Sequence, residues 1–148
     1  MSCEQVVNIL YNLKKPEQIS EQDKFMNSYH EIENDIYTTM LNAEATSKIK
    51  GSVLLYEINS KYNIRSDIAT KLSEKYPEKL VIVYEKTGKR MNGSVRSNTE
   101  KYNVNKILKK AIRGLYGSAG GHEAAGGFTL DYKKWDELRE RILNIVNS

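Results

Sequence analysis

Several residue types that would narrow the function of this chain are scarce. Its 148 residues include one cysteine, two prolines and two histidines. The single cysteine, Cys3, cannot form an internal disulfide, which fits a reducing compartment. No apolar run approaches the roughly 20 residues that cross a bilayer, and no basic segment followed by an apolar one marks the N-terminus. We therefore expect a cytoplasmic protein.

Clustered metal ligands are also missing from the sequence. The two histidines, His30 and His122, lie far apart, and the aspartates are scattered along the chain. A two-metal hydrolytic site needs several carboxylates and imidazoles that converge on one point. We therefore predict no catalytic residue, no metal ligand and no cofactor.

Positive charge is concentrated in one part of the chain. The net charge is +4, but residues 1–49 hold four lysines against eight carboxylates and so carry −4, which leaves +8 for residues 50–148. Between Lys86 and Arg113, nine lysines and arginines face a single carboxylate, Glu100. Such a block is typical of surfaces that bind polyanions, nucleic acid among them. The alternative is a basic surface that contacts only solvent.

Residues 1–48 are predicted to form an N-terminal helical segment. Apolar side chains recur there at spacings of four and three, which places them on one face of a long helix. The stripe consists of Phe25, Tyr29, Ile32, Ile36, Met40 and Ala43. Because large exposed apolar patches are unusual on monomers, we expect this helix to fold back mainly onto the rest of the protein.

Residues 49–148 are predicted to form an α/β domain, a mixed β-sheet with helices packed on it. The pattern gives the order β-α-β-β-α-β-α, and Leu80–Tyr84 is its clearest strand because it is rich in β-branched residues. A turn at Thr87 and Gly88 leads into a second strand over residues 90–97. Strands that are joined by crossover helices favour such a sheet.

A glycine-rich segment, Ser118–Gly127, is the most informative part of the chain. It holds four glycines, three alanines and His122 in ten residues. Glycines at this density let backbone N–H groups approach a ligand, and the imidazole of His122 can donate to an anion. An imidazole can also serve as a general base or a metal ligand, but no cluster of Asp, Glu, His and Cys at ligand spacing accompanies His122.

Two neighbouring elements are predicted to supply cations to the same ligand. An amphipathic helix that follows Tyr102 projects four cations from one face, as contacts to phosphates require. These are Lys106, Lys109, Lys110 and Arg113. Arg96 stands in a strand on the same face as Ser94, so its guanidinium can point out of the sheet and bind phosphate through two donors. A structural ion pair is the alternative for Arg96.

Tyrosines are abundant, and two of them flank the basic helix. Most of the ten tyrosines are expected to serve the core or its rim. Tyr102 and Tyr116, at the two ends of the helix, are placed where an aromatic ring can also stack on a base.

Two sequence motifs resemble those of a known family. Gly93-Ser94-Val95-Arg96-Ser97 is similar to the G-S-x-R-S strand of the DHH-associated domain, and Gly120–Gly127 is similar to its G-G-H-x-x-A-[AGS]-G loop. Gly126 stands where many members have alanine, which lies within the variation of the family. The span from Gly51 to Val146 therefore resembles the smaller, C-terminal domain of the DHH phosphoesterase superfamily, which includes the exonuclease RecJ and the nanoRNases.

The resemblance implies nucleic-acid binding without catalysis. In such enzymes this domain binds the nucleic acid, while a separate DHH domain holds the metal ions, and no DHH triplet occurs in this sequence. Together with the basic helix, the motifs predict a set of binding residues. The set is Ser94, Arg96, Ser97, Lys106, Lys109, Lys110, Arg113, Gly120, Gly121 and His122.

A chain of this kind without a DHH domain is similar to the RecJ-like replication proteins of crenarchaea. These are regarded as counterparts of the eukaryotic cell-division-cycle factor in the replicative helicase. The resemblance implies a non-catalytic replisome subunit at the nucleoid. Such a subunit associates with the GINS complex and through it with the MCM helicase, and it binds single-stranded DNA weakly.

Two other functions remain open at this point. The chain could be the nucleic-acid-binding half of a split phosphodiesterase whose DHH domain is another polypeptide. It could also be a stand-alone RNA-binding module, since a related domain ends alanyl-tRNA synthetases. Groups that contact phosphates do not distinguish DNA from RNA, because they do not read the 2′-hydroxyl.

Overall fold

The computed structural model describes residues 2–148, which form a mixed sheet with helices on both faces. The helices are α1 (Cys3–Asn12), α2 (Asp23–Thr46), α3 (Arg65–Lys75), α4 (Val104–Ala111) and α5 (Trp135–Asn147), with short 3-10 helices at Pro16–Glu21 and Tyr132–Lys134. The strands are β1 (Lys48–Lys50), β2 (Val53–Glu57), β3 (Leu80–Thr87), β4 (Arg90–Ser97), β5 (Ser118–Gly121) and β6 (Ala125–Asp131). This architecture confirms the predicted α/β class with helices at the N-terminus.

The strands lie in the order β1-β2-β3-β4-β6-β5. β2 and β3 run parallel because α3 crosses over between them, and the other neighbouring strands run antiparallel. The apolar runs Val53–Tyr56 and Leu80–Val83 are fully buried in the centre of the sheet. The carboxyl half of the chain therefore adds β4, β6 and β5 beyond this centre.

Each face of the sheet carries its own core. Leu54 and Val81 lie on the face that is covered by α3 and the second half of α2. Val53, Leu80 and Val95 lie on the opposite face, which is covered by α4 and α5. Because side chains alternate along a strand, each central strand contributes to both cores.

The long helix α2 folds back on the sheet from Ile32 onward. Ala43 is buried, and Ile32, Ile36 and Met40 pack against the core under α3. Tyr29, in the first half, keeps 55% of its surface exposed, and no described residue of α1 is buried. The predicted return of the apolar stripe to the core is therefore found for four of its six residues, those from Ile32 to Ala43.

Two strands are present that the sequence pattern did not predict. β1 is a three-residue edge strand, and β5 forms from the Ser-Ala-Gly-Gly start of the glycine-rich segment. Neither is long enough to show an alternating pattern, and β5 has no β-branched residue. Pairing with β2 and with β6 supplies their structure. The glycine-rich segment is therefore the β5–β6 hairpin, with its tip at residues 122–124, and not one long loop.

Candidate nucleic-acid interface

The basic face of α4 is the outer side of a helix whose inner side is core. Its apolar residues Val104, Ile107, Leu108 and Ala111 are buried against the sheet and α5. Asn103 is the N-cap of the helix, and its side-chain oxygen accepts the backbone N–H of Lys106 at 3.0 Å. This anchoring turns the four predicted cations to solvent, and all four are exposed. They are Lys106, Lys109, Lys110 and Arg113.

These cations, three on α4 and Arg113 two residues beyond its end, are called the α4 basic face below, and they have no acidic partner among residues 2–148. No Asp or Glu of that range lies within ion-pair distance of any of the four. Four unpaired positive charges within about two helix turns produce a positive potential that neighbouring groups do not cancel. The face is therefore electrostatically suited to a chain of phosphates.

The β5–β6 hairpin is closed by a glycine that no other residue can replace without strain. Gly121 has φ +149°, and a Cβ atom there would lie 2.3 Å from the carbonyl oxygen of Ala125. The backbone N–H of His122 donates to that same oxygen at 2.7 Å, while the His122 side chain is exposed. The N–H of His122 is thus used inside the hairpin, and its imidazole remains available.

Main-chain hydrogen bonds fix the tip of the hairpin to both neighbouring elements. The carbonyl oxygen of Glu123 accepts the N–H of Val104, the first residue of α4, at 2.7 Å. The carbonyl oxygen of Ala124 accepts the N–H of Ser97, at the end of β4, at 2.9 Å. The two motifs that stand apart in the sequence, at residues 93–97 and 120–127, are therefore adjacent in space.

The hairpin also lies beside the α4 basic face. A Cβ atom on Gly120 would stand 3.8 Å from Cε of Lys109 and 3.5 Å from the side-chain oxygen of Asn105. The stem of Lys109 thus passes directly over β5. The structure brings together Lys109, Gly120 and, one residue beyond the closing glycine, His122.

Arg96 is held inside the structure and does not point freely to solvent. α3 covers the face of β4 that the sequence pattern left open. The guanidinium donates to Thr70 Oγ1 at 3.4 Å, to Ser66 Oγ, and to the carbonyl oxygens of Val95 and Gly126 at 2.9 and 3.3 Å. Arg96 thereby braces α3, β4 and β6 together.

The hydrogen-bond acceptors around the Arg96 guanidinium are neutral groups. No ion pair of Arg96 is found in the part of the chain that the structure describes. Burial lowers the pKa of its guanidinium, and the nearby Asp67 carboxylate opposes that shift. The group is a structural cation whose partners are hydroxyls and carbonyls.

The two predicted serines of the strand motif are buried. Ser94 keeps 7% of its surface exposed, and its hydroxyl accepts from Nε of Arg65 at 3.2 Å. Ser97 keeps 2%, and its hydroxyl donates to the carbonyl oxygen of Thr99 at 3.0 Å. Both hydroxyls are therefore engaged within the protein.

Arg65 is a residue that the sequence analysis missed. It forms an ion pair with Glu85 and, together with Ser94, lines an open cavity of about 530 Å³ on the sheet face between α3 and β5. Arg65 follows no motif and lies outside the basic block at residues 86–113, so composition gave no signal. Its proximity to Ser94 depends on the packing of α3 across the sheet.

The described chain contains no metal-binding cluster and no membrane-spanning helix. In residues 2–148, His, Cys, Asp and Glu nowhere gather in a group of three or more that could hold an ion. None of the helices in the same range has the length and apolarity that a membrane crossing requires.

Comparison with known proteins decides the family. Residues 50–148 match the model of the DHHA1 domain, which is two thirds of the chain and contains both motifs, the basic helix and the hairpin. The chain belongs to the DHHA1 domain family. No curated protein sequence matches it.

Solved structures share the fold of this DHHA1 domain at low sequence identity. RecJ from Thermus thermophilus, in complex with Mg²⁺, superposes with a TM-score of 0.67 at 15% identity over 83% of this chain. CDC45 from Entamoeba histolytica gives 0.59 at 8% identity over 78%, and the C-Ala domain of Aquifex aeolicus alanyl-tRNA synthetase gives 0.56 at 14% identity over 70%. The matched regions cover 19% of RecJ, 28% of CDC45 and 99% of the C-Ala domain.

Proposed function

We propose that this DHHA1 domain binds single-stranded nucleic acid along the α4 basic face and does not hydrolyse it. The observation that carries the proposal is the set of four exposed cations without acidic partners beside the β5–β6 hairpin. Charges of this kind bind phosphates without reading bases, so the contact follows the backbone of a strand. The distribution of histidines and carboxylates supports binding without catalysis, because no part of the described chain gathers them.

The predicted binding residues divide into two roles in this proposal. The exposed group contacts the ligand directly: the α4 basic face supplies charge, and the imidazole of His122 donates a hydrogen bond at the hairpin. Arg96, Ser94 and Ser97 act indirectly. Their contacts fix β4, which pairs with strand β6 of the hairpin. Gly120 and Gly121 let Lys109 and His122 approach the same strand of nucleic acid.

We further propose that the domain serves as a non-catalytic subunit of the replisome. Its two motifs resemble those of the DHH-associated domain, whose superfamily includes RecJ, and the fold shared with RecJ and CDC45 supports a role in replication. In this role it associates with GINS and through it with the MCM helicase. In this proposal, residues 49–148 are the nucleic-acid-binding domain and residues 1–48 are the segment before it, whose helix α2 packs on that domain.

The binding proposal is tested with the full chain and a labelled oligo(dT), titrated by fluorescence anisotropy over a range of salt concentrations. If about four phosphates are contacted, the slope of log affinity against log salt is about −3, at roughly 0.7 per contact for single strands. An oligo(U) of equal length measures the preference between DNA and RNA. Failure to bind either strand at low salt contradicts the proposal.

Hydrolysis is tested on the same labelled strands with Mn²⁺ or Mg²⁺. We expect no product over hours, and RecJ serves as the positive control for the assay. Product that persists through further purification and disappears in His122→Ala contradicts the non-catalytic assignment.

The partner is tested separately, by pull-down of purified GINS with the full chain at micromolar concentration. We expect a complex that survives the charge substitutions on α4, since those residues are assigned to nucleic acid. If GINS is not retained while oligo(dT) is bound, the replisome role fails and nucleic-acid binding stands.

A further inference from the structure

Tyr116 is an aromatic side chain that the fold leaves almost entirely in solvent. It keeps 98% of its surface exposed, whereas Tyr102, at the other end of α4, keeps 5%. In residues 50–148, all of which the structure describes, Tyr116 is the one large apolar side chain that is exposed; the others lie within residues 1–49. Its ring therefore contributes nothing to either core.

The backbone of Tyr116 adopts a conformation that a tyrosine disfavours. Its φ is +52°, in the left-handed region, and it is the only non-glycine residue with positive φ in residues 2–148. Bulky residues are genuine outliers there, and such outliers concentrate at functional sites. Glycine or asparagine fits this conformation more readily, so local geometry does not explain why a tyrosine occupies the position.

The residues on either side of Tyr116 force this conformation. Leu115 is buried, with 2% of its surface exposed, and its N–H donates to the carbonyl oxygen of Ile112 at 3.0 Å. Gly117 passes so close to β6 that a Cβ atom there would lie 2.7 Å from Cβ of Leu130 and 2.8 Å from the carbonyl oxygen of Thr129. The turn is thus pinned at both ends, and the ring is displayed from a rigid support.

This turn connects the two parts of the proposed binding surface along the chain. Arg113, the last cation of the α4 basic face, precedes Tyr116 by three residues, and β5 begins two residues after it. β5 then leads to the hairpin, where Lys109 passes over Gly120. An exposed aromatic ring in the same stretch of chain as unpaired cations is a combination by which proteins bind single strands, because the cations hold phosphates and the ring stacks on a base.

We propose that Tyr116 is a stacking platform for one unpaired base of the strand that the α4 basic face binds. This inference rests on the proposed function and adds a contact that phosphate binding alone does not include. Because every base has a π-face, the platform selects unpaired bases over duplex and does not select among sequences. Tyr102 takes no part in it, since its ring is buried.

The experiment compares two strands of about ten nucleotides, oligo(dT) and an abasic strand with the same number of phosphates, each titrated with the full chain. The variants are Tyr116→Phe, which keeps the ring, and Tyr116→Asn, which removes the ring but suits positive φ. We expect Tyr116→Asn to weaken oligo(dT) binding about 5- to 100-fold and to leave abasic binding unchanged. Tyr116→Phe binds both strands like the native chain. In Tyr116→Trp, oligo(dT) quenches the fluorescence of the introduced indole, and the abasic strand does not.

The remaining outcomes overturn the inference in distinguishable ways. Equal affinity of Tyr116→Asn and the native chain for oligo(dT) rejects the platform and leaves the proposed function standing. An equal loss of affinity for both strands shows that Tyr116 acts through the structure of the turn and not through stacking. This result also rejects the platform. If the native chain binds neither strand at low salt, the proposed function fails and the platform fails with it.

Discussion

The helices α4 and α5 pack against each other on one face of the sheet, yet their positive charges are arranged in opposite ways. Around α5, Lys134 pairs with Glu137 at 3.3 Å, and Arg139 pairs with Asp136 at 2.9 Å and with Glu140 at 3.3 Å. On α4, no carboxylate of residues 2–148 pairs with any of the four cations. The cations of α5 are paired within the helix and its first turn, while those of α4 remain unpaired.

The two helices are nevertheless one structural unit. Arg141 of α5 pairs with Glu137 at 2.7 Å and also donates to the carbonyl oxygens of Ala111 and Arg113 at 3.1 and 2.6 Å, where α4 ends. A cation of α5 thus satisfies orphan carbonyl groups at the end of α4. The difference between the helices lies in the pairing of their surface charges, since both contribute to the same core.

The largest expected effect comes from removing charge from α4. The double substitution Lys106→Gln/Lys109→Gln reduces the magnitude of the salt slope for oligo(dT) by about 1.4 and weakens binding about 50-fold near 50 mM salt. Anisotropy titrations over a salt series measure both quantities. The matched control is Lys134→Gln/Arg139→Gln, which removes two paired cations beside α5 and leaves the affinity nearly unchanged. Equal losses of affinity in the two double variants would show that binding depends on net charge and not on whether the cations are paired.

Arg96 represents a third arrangement, a cation satisfied by neutral acceptors. Arg96→Met lowers the free energy of unfolding by about 2 kcal/mol, because it removes a charged donor from two carbonyl oxygens and two hydroxyls. Urea denaturation monitored through Trp135 measures the loss. Arg90→Met serves as the control in the same strand, since Arg90 is exposed and makes one side-chain hydrogen bond, to Thr129 Oγ1 at 3.0 Å. Its expected change is within about 0.5 kcal/mol, and a similar change for Arg96→Met would reject the bracing role.

The turn that ends α4 gives a smaller effect of opposite sign. Tyr116→Gly raises the free energy of unfolding by about 1 kcal/mol, because glycine accepts positive φ and the exposed ring loses no packing. Tyr37 is also an exposed tyrosine, at 63%, but it lies inside α2. Tyr37→Gly is expected to lower the same free energy by about 0.5 kcal/mol. If urea titrations show that both substitutions change the free energy of unfolding in the same direction, the strain at Tyr116 is refuted.

The smallest expected effect is on stability and concerns the paired charges of α5. Hydrogen bonds from Lys134 and from Arg141 hold the pKa of Glu137 below its ordinary value of 4.5. The interactions of the Glu137 carboxylate therefore stabilise the fold when the pH is above the ordinary pKa. This contribution is lost as the pH falls through the lowered pKa. We expect the native chain to be slightly more stable than Glu137→Gln at pH 7 and the difference to vanish in acid. A pH-independent difference would exclude ionic pairing as its origin, and oligo(dT) binding should not change in either case.

Much of the fold follows from the sequence, because its signals are local. Leu80–Tyr84 is β-branched and apolar, and the spacing of Val104, Ile107, Leu108 and Ala111 fixes the inner face of α4, so strand and helix were both predicted. The crossover at α3 then determines that β2 and β3 are parallel. β5 was missed because small residues carry no strand signal of their own.

The exposure of the candidate site residues was predictable in part, and their contacts were not. The basic face of α4 and the exposure of His122 follow from helical spacing and from the glycine-rich composition. The surroundings of Arg96 do not, because Ser66 and Thr70, which contact it from α3, lie 30 and 26 residues away in the chain. The strain at Tyr116 is equally hidden, since it results from the burial of Leu115 and the close approach of Gly117 to β6.

The anchoring of the hairpin tip through Glu123 and Ala124 also determines how the surface tolerates mutation. Both bonds join main-chain atoms, so side-chain replacements at the exposed tip residues Glu123 and Ala124 preserve the placement of the hairpin relative to α4 and β4, and replacements at the buried Ser97 and Val104 do so where they fit the core. Proline at Ser97 or Val104 is the exception, because it removes the donating N–H. Surface side chains can therefore diversify on a fixed frame, which allows ligand preference to change through ordinary point substitutions while the geometry persists.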